Sequence, residues 1–257
     1  MSIFKNLFQY RELLKSNVKK EIRGKYKGSF LGVLWSFLNP LLLVFVYFLV
    51  FSYVLKSEQE NYLIYLIVGV IPWNFFTTVI TQGCNCVWTS GSIIKKVYFP
   101  REILPISVVG AGLINFLISC VIILVFVIFG GVGLSWNILW VFPIAILQAI
   151  FSLGILFILS AINVYVRDIE YLVAFIVNLL FYGTPIIYDV SLFPEKIAFL
   201  LKLNPMAKFI ESYRNIFLYQ TRPEYSALLY VFVIGIILII VGYWIFRKLE
   251  KGFAEEL

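Results

Sequence analysis

Six long apolar stretches constrain this chain more than any other feature of its sequence. They run roughly over 31–55, 62–87, 104–129, 137–164, 169–188 and 225–246, and a helix needs about 20 apolar residues to cross a bilayer. Apolar residues make up 61% of the 257 positions and charged residues 14%, whereas soluble domains average about 45–50% and about 25%. The sequence therefore predicts an all-α integral membrane protein with six transmembrane helices and a single transmembrane domain, residues 31–257.

The segment before the first stretch, residues 1–30, carries a different pattern. Its apolar residues fall near one face of a helix, and most of its basic residues fall elsewhere. With eight Lys or Arg in the first 29 residues and no continuous apolar core, it is unlike a cleavable signal peptide. We therefore predict an amphipathic helix that lies in the membrane interface.

The distribution of Lys and Arg predicts the orientation. Most of the 21 basic residues lie before the first stretch, in the loops after the second and fourth stretches, and at the carboxyl end. Because Lys and Arg in short loops are retained in the cytoplasm, we expect both termini to be cytoplasmic. The net charge of +7 then reflects topology, and no nucleic acid is expected as a partner.

Residues 189–224 are too polar to span a membrane and too apolar for a free loop. Asn204-Pro205 interrupts them, because proline disfavours helix at the preceding residue. We predict two short re-entrant helices on the outer side, packed on protein.

Pro72 and Pro185 also interrupt predicted spans. Either each makes a kink whose unpaired backbone groups are satisfied by neighbouring helices, or each makes a bend that shapes a conduit.

Several kinds of catalytic and energy-coupling site are missing from the sequence. No G-x-x-x-x-G-K-[ST] phosphate-binding loop is present, so the chain is not expected to hydrolyse ATP itself. No carboxylate lies in the middle of a predicted span, which argues against a proton or sodium relay. There is no histidine, and Cys84, Cys86 and Cys120 lie in or beside apolar stretches, so neither a metal site nor a catalytic residue is expected.

Aromatic residues and uncharged amides or hydroxyls occur together within the predicted spans. Either they join helix to helix, or they line a path for a hydroxylated solute, since sugar rings present apolar faces to aromatic rings and hydroxyls to amides. The candidates for this conduit lining are Trp35, Trp73, Asn74, Phe76, Trp88, Asn178, Phe181, Tyr182, Thr184 and Tyr188.

The loop after the second stretch has the composition of a structured element. From Lys95 to Pro105 it contains two prolines, an aromatic pair and four charges. Retention on the inner side explains the charges but not Tyr98-Phe99-Pro100, which would fit a groove on a soluble partner.

The sequence resembles the membrane subunits of type-2 ABC exporters, in particular the permeases that export polysaccharide and polyol phosphate. The resemblance covers nearly the whole chain, and the order and spacing of its motifs are more specific than any one of them. These motifs are residues 23–35 with Asn39-Pro40, residues 95–105, Arg167-Asp168, residues 184–188, and 203–205 followed by Tyr213-Arg214.

This resemblance implies a homodimer in the bacterial cytoplasmic membrane, bound to two copies of a cytoplasmic ATPase subunit that holds ATP and Mg. The cargo would be a polysaccharide on an undecaprenyl-type lipid, such as O-antigen or teichoic acid. The residues implied to couple to the ATPase are Lys95, Lys96, Tyr98, Phe99, Pro100, Arg101, Glu102, Arg167 and Asp168, and those implied for an outer gate are Asn204, Pro205, Tyr213 and Arg214.

Two points stay open at this stage. Arg23, Lys25 and Lys27 either bind the anionic head group of a lipid carrier at the inner surface or serve only as an orientation signal. The same fold would also suit export of a small drug or lipid. A membrane-embedded glycosyltransferase is a weaker alternative, because only Arg167-Asp168-Ile-Glu170 places carboxylates where such an enzyme needs them.

Overall fold

The chain folds into a bundle of helices. The structure is a computed structural model that describes residues 8–24, 34–50 and 61–257. Within these ranges the main helices are α1 (Arg11–Gly24), α2 (Trp35–Leu49), α3 (Tyr62–Cys84), α4 (Ile103–Phe129), α5 (Val141–Tyr165), α6 (Ile169–Tyr182), α7 (Glu195–Leu203), α8 (Pro205–Phe217) and α9 (Tyr225–Leu249).

Among the residues that the structure describes, four helical segments are long and apolar enough to cross a membrane. They are α3, α4, α5 with the 3-10 turn before it (Trp136–Tyr165), and α9 with the turns after it (Tyr225–Glu256). The helices α3, α4, α5 and α9 themselves begin and end within about four residues of the predicted stretches. The described part of the first stretch, α2, and the fifth, α6, form shorter apolar helices.

The fifth stretch differs from the prediction. It was expected to be helical to about residue 188, but α6 ends at Tyr182 and residues 183–188 are not helical. Fourteen residues rise about 21 Å, which is less than the roughly 30 Å of a hydrocarbon core. Gly183 follows the last helical residue and Pro185 cannot donate a backbone hydrogen bond, so the helix stops there.

α3 is the central helix of the bundle. Ile64, Tyr65, Leu66 and Ile67 are consecutive and all buried, so other parts of the chain cover this helix on every side. Pro72 does not interrupt it, because α3 runs without a break from Tyr62 to Cys84. Pro72 therefore does not end the helix, whereas at Pro185 the chain is no longer helical.

α5 and α9 pack with their backbones in close contact. A Cβ atom built on Gly154 of α5 would lie 2.6 Å from the backbone of Leu238 on α9. One built on Gly242 of α9 would collide with the carbonyl oxygen of Gly154. Small residues are common at such interfaces in membranes, where dispersion contacts and not water exclusion hold helices together.

α1 packs along the first part of α4. The side chain of Val18 would lie 3.5 Å from a Cβ atom on Gly110, and Tyr10 and Leu13 are packed against the buried core. The described part of the predicted amphipathic segment is thus a helix from Arg11 to Gly24 that contacts α4, while Leu14 and Ile22 line an open groove.

The amino-terminal and carboxyl-terminal parts of the described chain lie at the same end of the bundle. Tyr10, Tyr98 and Lys251 line one groove. Tyr165, at the end of α5, donates from its hydroxyl to the carbonyl oxygen of Leu249 at 2.7 Å. We call this the terminal end, and the segments that follow α6 lie at the opposite end.

α7 and α8 are the two short helices predicted between the fifth and sixth stretches, and they meet at Asn204. The side chain of Asn204 accepts a hydrogen bond from the backbone nitrogen of Met206 at 2.9 Å and so caps α8. Pro205 occupies the first turn of α8, where its missing N–H costs nothing.

Candidate functional site

Two clefts flank the contact between α2 and α3. Both are bordered by Asn39 and Pro40 of α2 and by Asn74 of α3. The first cleft, of about 90 Å³, reaches α4 and includes Asn115. The second, of about 380 Å³, reaches α6 and includes Asn178.

The walls of both clefts are aromatic and neutral. In the second cleft the ring of Phe181 stacks on that of Tyr47 at 5.6 Å and meets the edge of Trp73 at 5.8 Å. In both clefts, as far as the described residues line them, no side chain carries a charge. Such walls suit a neutral hydroxylated ligand, because amides both donate and accept hydrogen bonds.

Asn39, Asn74 and Asn178 are exposed on the surface of the single chain. The helices that carry two of them also expose large apolar side chains, among them Phe45 on α2 and Phe175 on α6. The amides therefore face outward within an apolar surface.

The segment 183–188, directly beyond α6, is not helical and is held by side chains from other helices. Arg214 of α8 donates from Nη1 to the carbonyl oxygen of Pro185 and from Nη2 to that of Ile186, each at 2.7 Å. The fork of the guanidinium matches two successive carbonyls, which a lysine could not bridge.

Two tyrosines at the start of α3 satisfy the next two carbonyls. The hydroxyl of Tyr62 donates to Ile187 at 2.8 Å, and that of Tyr65 donates to Tyr188 at 2.8 Å. We call the donors Tyr62, Tyr65 and Arg214 together the carbonyl clamp.

The beginning of the segment is held at the break between α7 and α8. Asn204 donates from Nδ2 to the hydroxyl oxygen of Thr184 at 2.9 Å and to the carbonyl of Gly183 at 3.3 Å. The backbone nitrogen of Ile186 donates to the carbonyl oxygen of Thr184 at 2.7 Å. Every carbonyl oxygen from Gly183 to Tyr188 thus accepts a hydrogen bond.

Arg214 is enclosed on several sides. Its side chain is 6% exposed, and the guanidinium carbon lies 3.3 Å from the centre of the Tyr65 ring, a close cation–π contact. A Cβ atom on Gly69 would lie 3.1 Å from Nη2, so glycine makes room for it. Burial lowers the pKa of the Arg214 guanidinium, and nearby Tyr65 and Tyr219 oppose that shift.

A buried amide connects three helices below the clamp. Gln148 of α5 donates from Nε2 to the carbonyl oxygen of Pro72 at 2.9 Å. It accepts at Oε1 from the hydroxyl of Tyr213 at 3.0 Å. This bridge fixes α8 against α3 and α5.

At the terminal end, the two aromatic residues of the loop after α3 face different ways. Tyr98 is 91% exposed, whereas Phe99 is 6% exposed and belongs to the core. Arg101 donates from Nη1 to the carbonyl oxygen of Glu250, whose carboxylate pairs with Arg247 at 2.6 Å. The loop is thereby fixed to the end of α9.

Comparison with known proteins identifies the family. Residues 12–218 match the ABC-2 type transporter membrane family. The chain belongs to that family.

Relatives along the whole chain include an O-antigen export system permease protein RfbA from Myxococcus xanthus, 35% identical over 99% of both chains. Two proteins of the same name from Klebsiella pneumoniae are 39% and 38% identical over 98% of this chain and 97% of theirs. This ABC-2 chain is a multi-pass protein of the cytoplasmic membrane.

The structure groups part of the predicted conduit lining around the clefts. Trp35 borders the first cleft, Trp73, Asn178, Phe181 and Tyr182 border the second, and Asn74 borders both.

The other predicted lining residues border neither cleft of the single chain, and their place in the conduit stays a prediction. Phe76 is buried against Trp73 and Phe151, and Thr184 is buried beside Asn204. Trp88 lies at the terminal end, with the guanidinium of Arg167 3.6 Å from its ring centre. Tyr188 lies beyond α6 and packs on Phe193 at 5.0 Å.

The remaining predicted site residues are distributed as follows. Lys95 and Lys96 are exposed, Pro100 is partly exposed, Glu102 is fully buried, and Asp168 is exposed next to Arg167. Asn204, Pro205, Tyr213 and Arg214 gather at the clamp and the bridge. Arg23 borders an apolar groove on α1, and Lys25 and Lys27 lie outside the described residues.

Sequence reasoning missed several of these residues. Tyr62 and Tyr65 lie three apart at the start of a span, where aromatic residues are common for reasons of membrane anchoring alone. Asn39 carried the family resemblance but was not placed in the conduit. α2 and α3 bring the amides of Asn39 and Asn74 to the same two clefts. The distance between the two residues in the sequence does not predict this.

The clamp makes a prediction for Arg214. Replacing it by Ala leaves two buried carbonyls without donors, which should lower the free energy of unfolding by about 3 kcal/mol. Thermal unfolding of the detergent-purified protein, followed by tryptophan fluorescence, should show the loss, and Arg214→Lys should recover only part of it. Arg222→Ala, at an exposed position of the same end, is the control, and equal melting temperatures for all variants would contradict the clamp.

Proposed function

We propose that this ABC-2 chain is the permease subunit of an exporter that carries lipid-linked polysaccharide of the O-antigen class across the cytoplasmic membrane. The observation that carries the proposal is the uncharged amide and aromatic lining of the two clefts. The relatives named as O-antigen export permeases, matched along their whole length, support the same cargo class.

The proposal includes a homodimer. Clefts of about 90 and 380 Å³ are too small to enclose a polysaccharide chain, and their amides face outward. A second copy applied to the exposed apolar faces of α2 and α6 would cover those faces and join the clefts of both subunits into a wider conduit. Six spans per subunit, both termini in the cytoplasm and α7 and α8 on the outer side complete this arrangement.

Energy would come from two copies of a cytoplasmic ATPase subunit, which would hold ATP and Mg. The side chain available to dock on that subunit is Tyr98, because Phe99 is buried in the chain's own core. Lys95, Lys96 and Asp168 are exposed at the same end and extend this docking surface. Through Arg101, movement of the loop would reach the end of α9 directly.

The lipid carrier would enter at α1. Lys15, Lys19 and Arg23 border an apolar groove that also contains Val18 and Ile22. Basic residues beside an apolar surface attract anionic head groups at a membrane. We assign Lys25 and Lys27, which follow in the sequence, to the same head-group site.

The conduit proposal is tested with Asn74→Leu. The Asn74 side chain makes no hydrogen bond within the described chain, so its loss should spare the fold. Removing about 1 kcal/mol of hydrogen bonding to the passing sugar should reduce surface polysaccharide about fivefold, measured in cells that lack the native gene, while lipid-linked glycan accumulates inside.

Gln82→Leu provides the matched control, since Gln82 is exposed on the same helix and borders neither cleft. Normal surface polysaccharide with Asn74→Leu would refute the conduit, and equal losses for both variants would refute the assignment of Asn74.

The docking proposal is tested with Tyr98→Ala. Truncating a highly exposed aromatic anchor should weaken association with the ATPase subunit by about 2 kcal/mol or more while the melting temperature stays unchanged. Co-purification of the two subunits measures the loss. Tyr225→Ala, at an exposed position of the opposite end, should co-purify normally, and undiminished association for Tyr98→Ala would exclude this residue from the interface.

A further inference from the structure

A third cleft lies beyond the clamp, at the end of the bundle opposite Tyr98. It is enclosed by residues 189–195, α7 and α8, has a volume of about 470 Å³, and Tyr65 and Arg214 belong to its lining. We call it the outer cleft. Its volume falls within the roughly 300–1,000 Å³ of small-molecule sites, and nothing in the conduit proposal uses it.

The outer cleft has an excess of hydrogen-bond acceptors. Asp189, Glu195 and Glu211 contribute three carboxylates, which accept but do not donate when ionised. Glu211 also pairs with Lys208 at 3.4 Å, and Asp189 accepts from the backbone nitrogen of Ser191 at 2.8 Å. The Nη atoms of Arg214 are already committed to the carbonyls of the 183–188 segment. Among the described lining residues, Lys202 is the cation that remains available. Because a carboxylate can accept several hydrogen bonds, a ligand with several donors would fit these walls.

Its remaining walls suit a ring that is apolar on one side and hydroxylated at its edges. Tyr219 is 50% exposed, and Phe193 and Tyr219 add two aromatic side chains to the lining. Asn215 also lines the cleft, and its side-chain amide makes no hydrogen bond within the described chain. An amide can donate a hydrogen bond to one of two vicinal hydroxyls and accept a hydrogen bond from the other.

The floor of the cleft adds an independent observation. Arg214 lines it while 6% exposed, and its Nε–H finds no acceptor among the described residues. Buried donors are normally paired, and an unpaired one in a cleft wall is expected where a ligand or ordered water completes the site.

We propose that the outer cleft binds sugar units of the cargo glycan on the exit side of the membrane. This inference rests on the proposed function and extends it, because it places a second glycan site beyond the conduit. Hydroxyl groups would donate to the carboxylates in charge-assisted hydrogen bonds, and ring faces would pack on Tyr219 and Phe193. Sugar units held there would be hindered from sliding back past the clamp.

A phospholipid head group fits the outer cleft less well. Its phosphate would need cations, and the described lining holds three carboxylates against one available lysine. An ethanolamine head group would satisfy some acceptors but would bring that phosphate with it. The walls therefore favour a neutral, hydroxylated ligand.

The experiment uses the complete exporter, permease with its ATPase subunit, in lipid nanodiscs. The probe is the cell's own surface polysaccharide, released from its lipid by mild acid, and binding is measured by isothermal titration calorimetry. Wild type should bind, and Glu211→Gln and Asn215→Leu should each bind at least about tenfold more weakly. Glu224→Gln, which changes an exposed carboxylate of the same end outside the cleft, should bind as wild type does.

Equal affinity of all variants would overturn the proposal. A second result would also overturn it: the exporter binds short-chain phosphatidylethanolamine but no polysaccharide, and Glu211→Gln weakens this lipid binding. The outer cleft would then be a lipid site. If wild type binds no polysaccharide and yet exports it in cells, the outer cleft is refuted and the exporter stands. If the cells export none, the proposed function itself fails.

Discussion

A backbone that is buried but not helical must find its hydrogen-bond partners within the protein. In this chain the requirement falls on residues 183–188, where α6 has ended after only 14 residues. Asn204, Arg214, Tyr62 and Tyr65 donate to five carbonyl oxygens of that segment, and the backbone of Ile186 supplies the sixth bond. The positions of α3, α7 and α8 around the segment follow from this need.

The same helix serves both the clefts and the clamp. α3 carries Asn74 at the clefts and, about two and a half to three and a half turns earlier, the two tyrosines of the clamp. Gln148 adds a polar bridge from Pro72 to Tyr213, directly before Arg214 in the sequence. One buried, continuous helix thus connects the clefts with the clamp.

Hydrophobic length predicted most of the fold, because a long apolar run has few ways to satisfy its backbone other than a helix. It placed α3, α4, α5 and α9 within a few residues. Hydrophobic length could not place the end of α6, because Pro185, Ile186 and Ile187 are as apolar as the residues of a spanning helix. An apolar side chain indicates burial in protein or lipid but does not indicate whether the backbone is helical. The donors that permit the break lie far away in the sequence, in α3 and α8.

The candidate site was predictable in kind more than in detail. Neutral amides and aromatic residues indicated the class of ligand, but neighbouring side chains of one segment can face opposite ways. Tyr98 and Phe99 are adjacent, yet one is exposed and the other completes the core. The ring of Trp88 lies under the guanidinium of Arg167, a contact that the sequence did not predict. Such outcomes depend on the partners that packing supplies, which composition and spacing do not reveal.

The central claim is that Tyr98 faces the cytoplasm while the outer cleft faces the exterior, with the clamp between them. Cysteines placed singly at Tyr98 and at Lys202, both exposed, test it with a membrane-impermeant maleimide, and the three native cysteines are buried. In right-side-out membrane vesicles Lys202→Cys should react and Tyr98→Cys should react only after permeabilisation. The reverse pattern, or labelling of both from one side, would contradict the account.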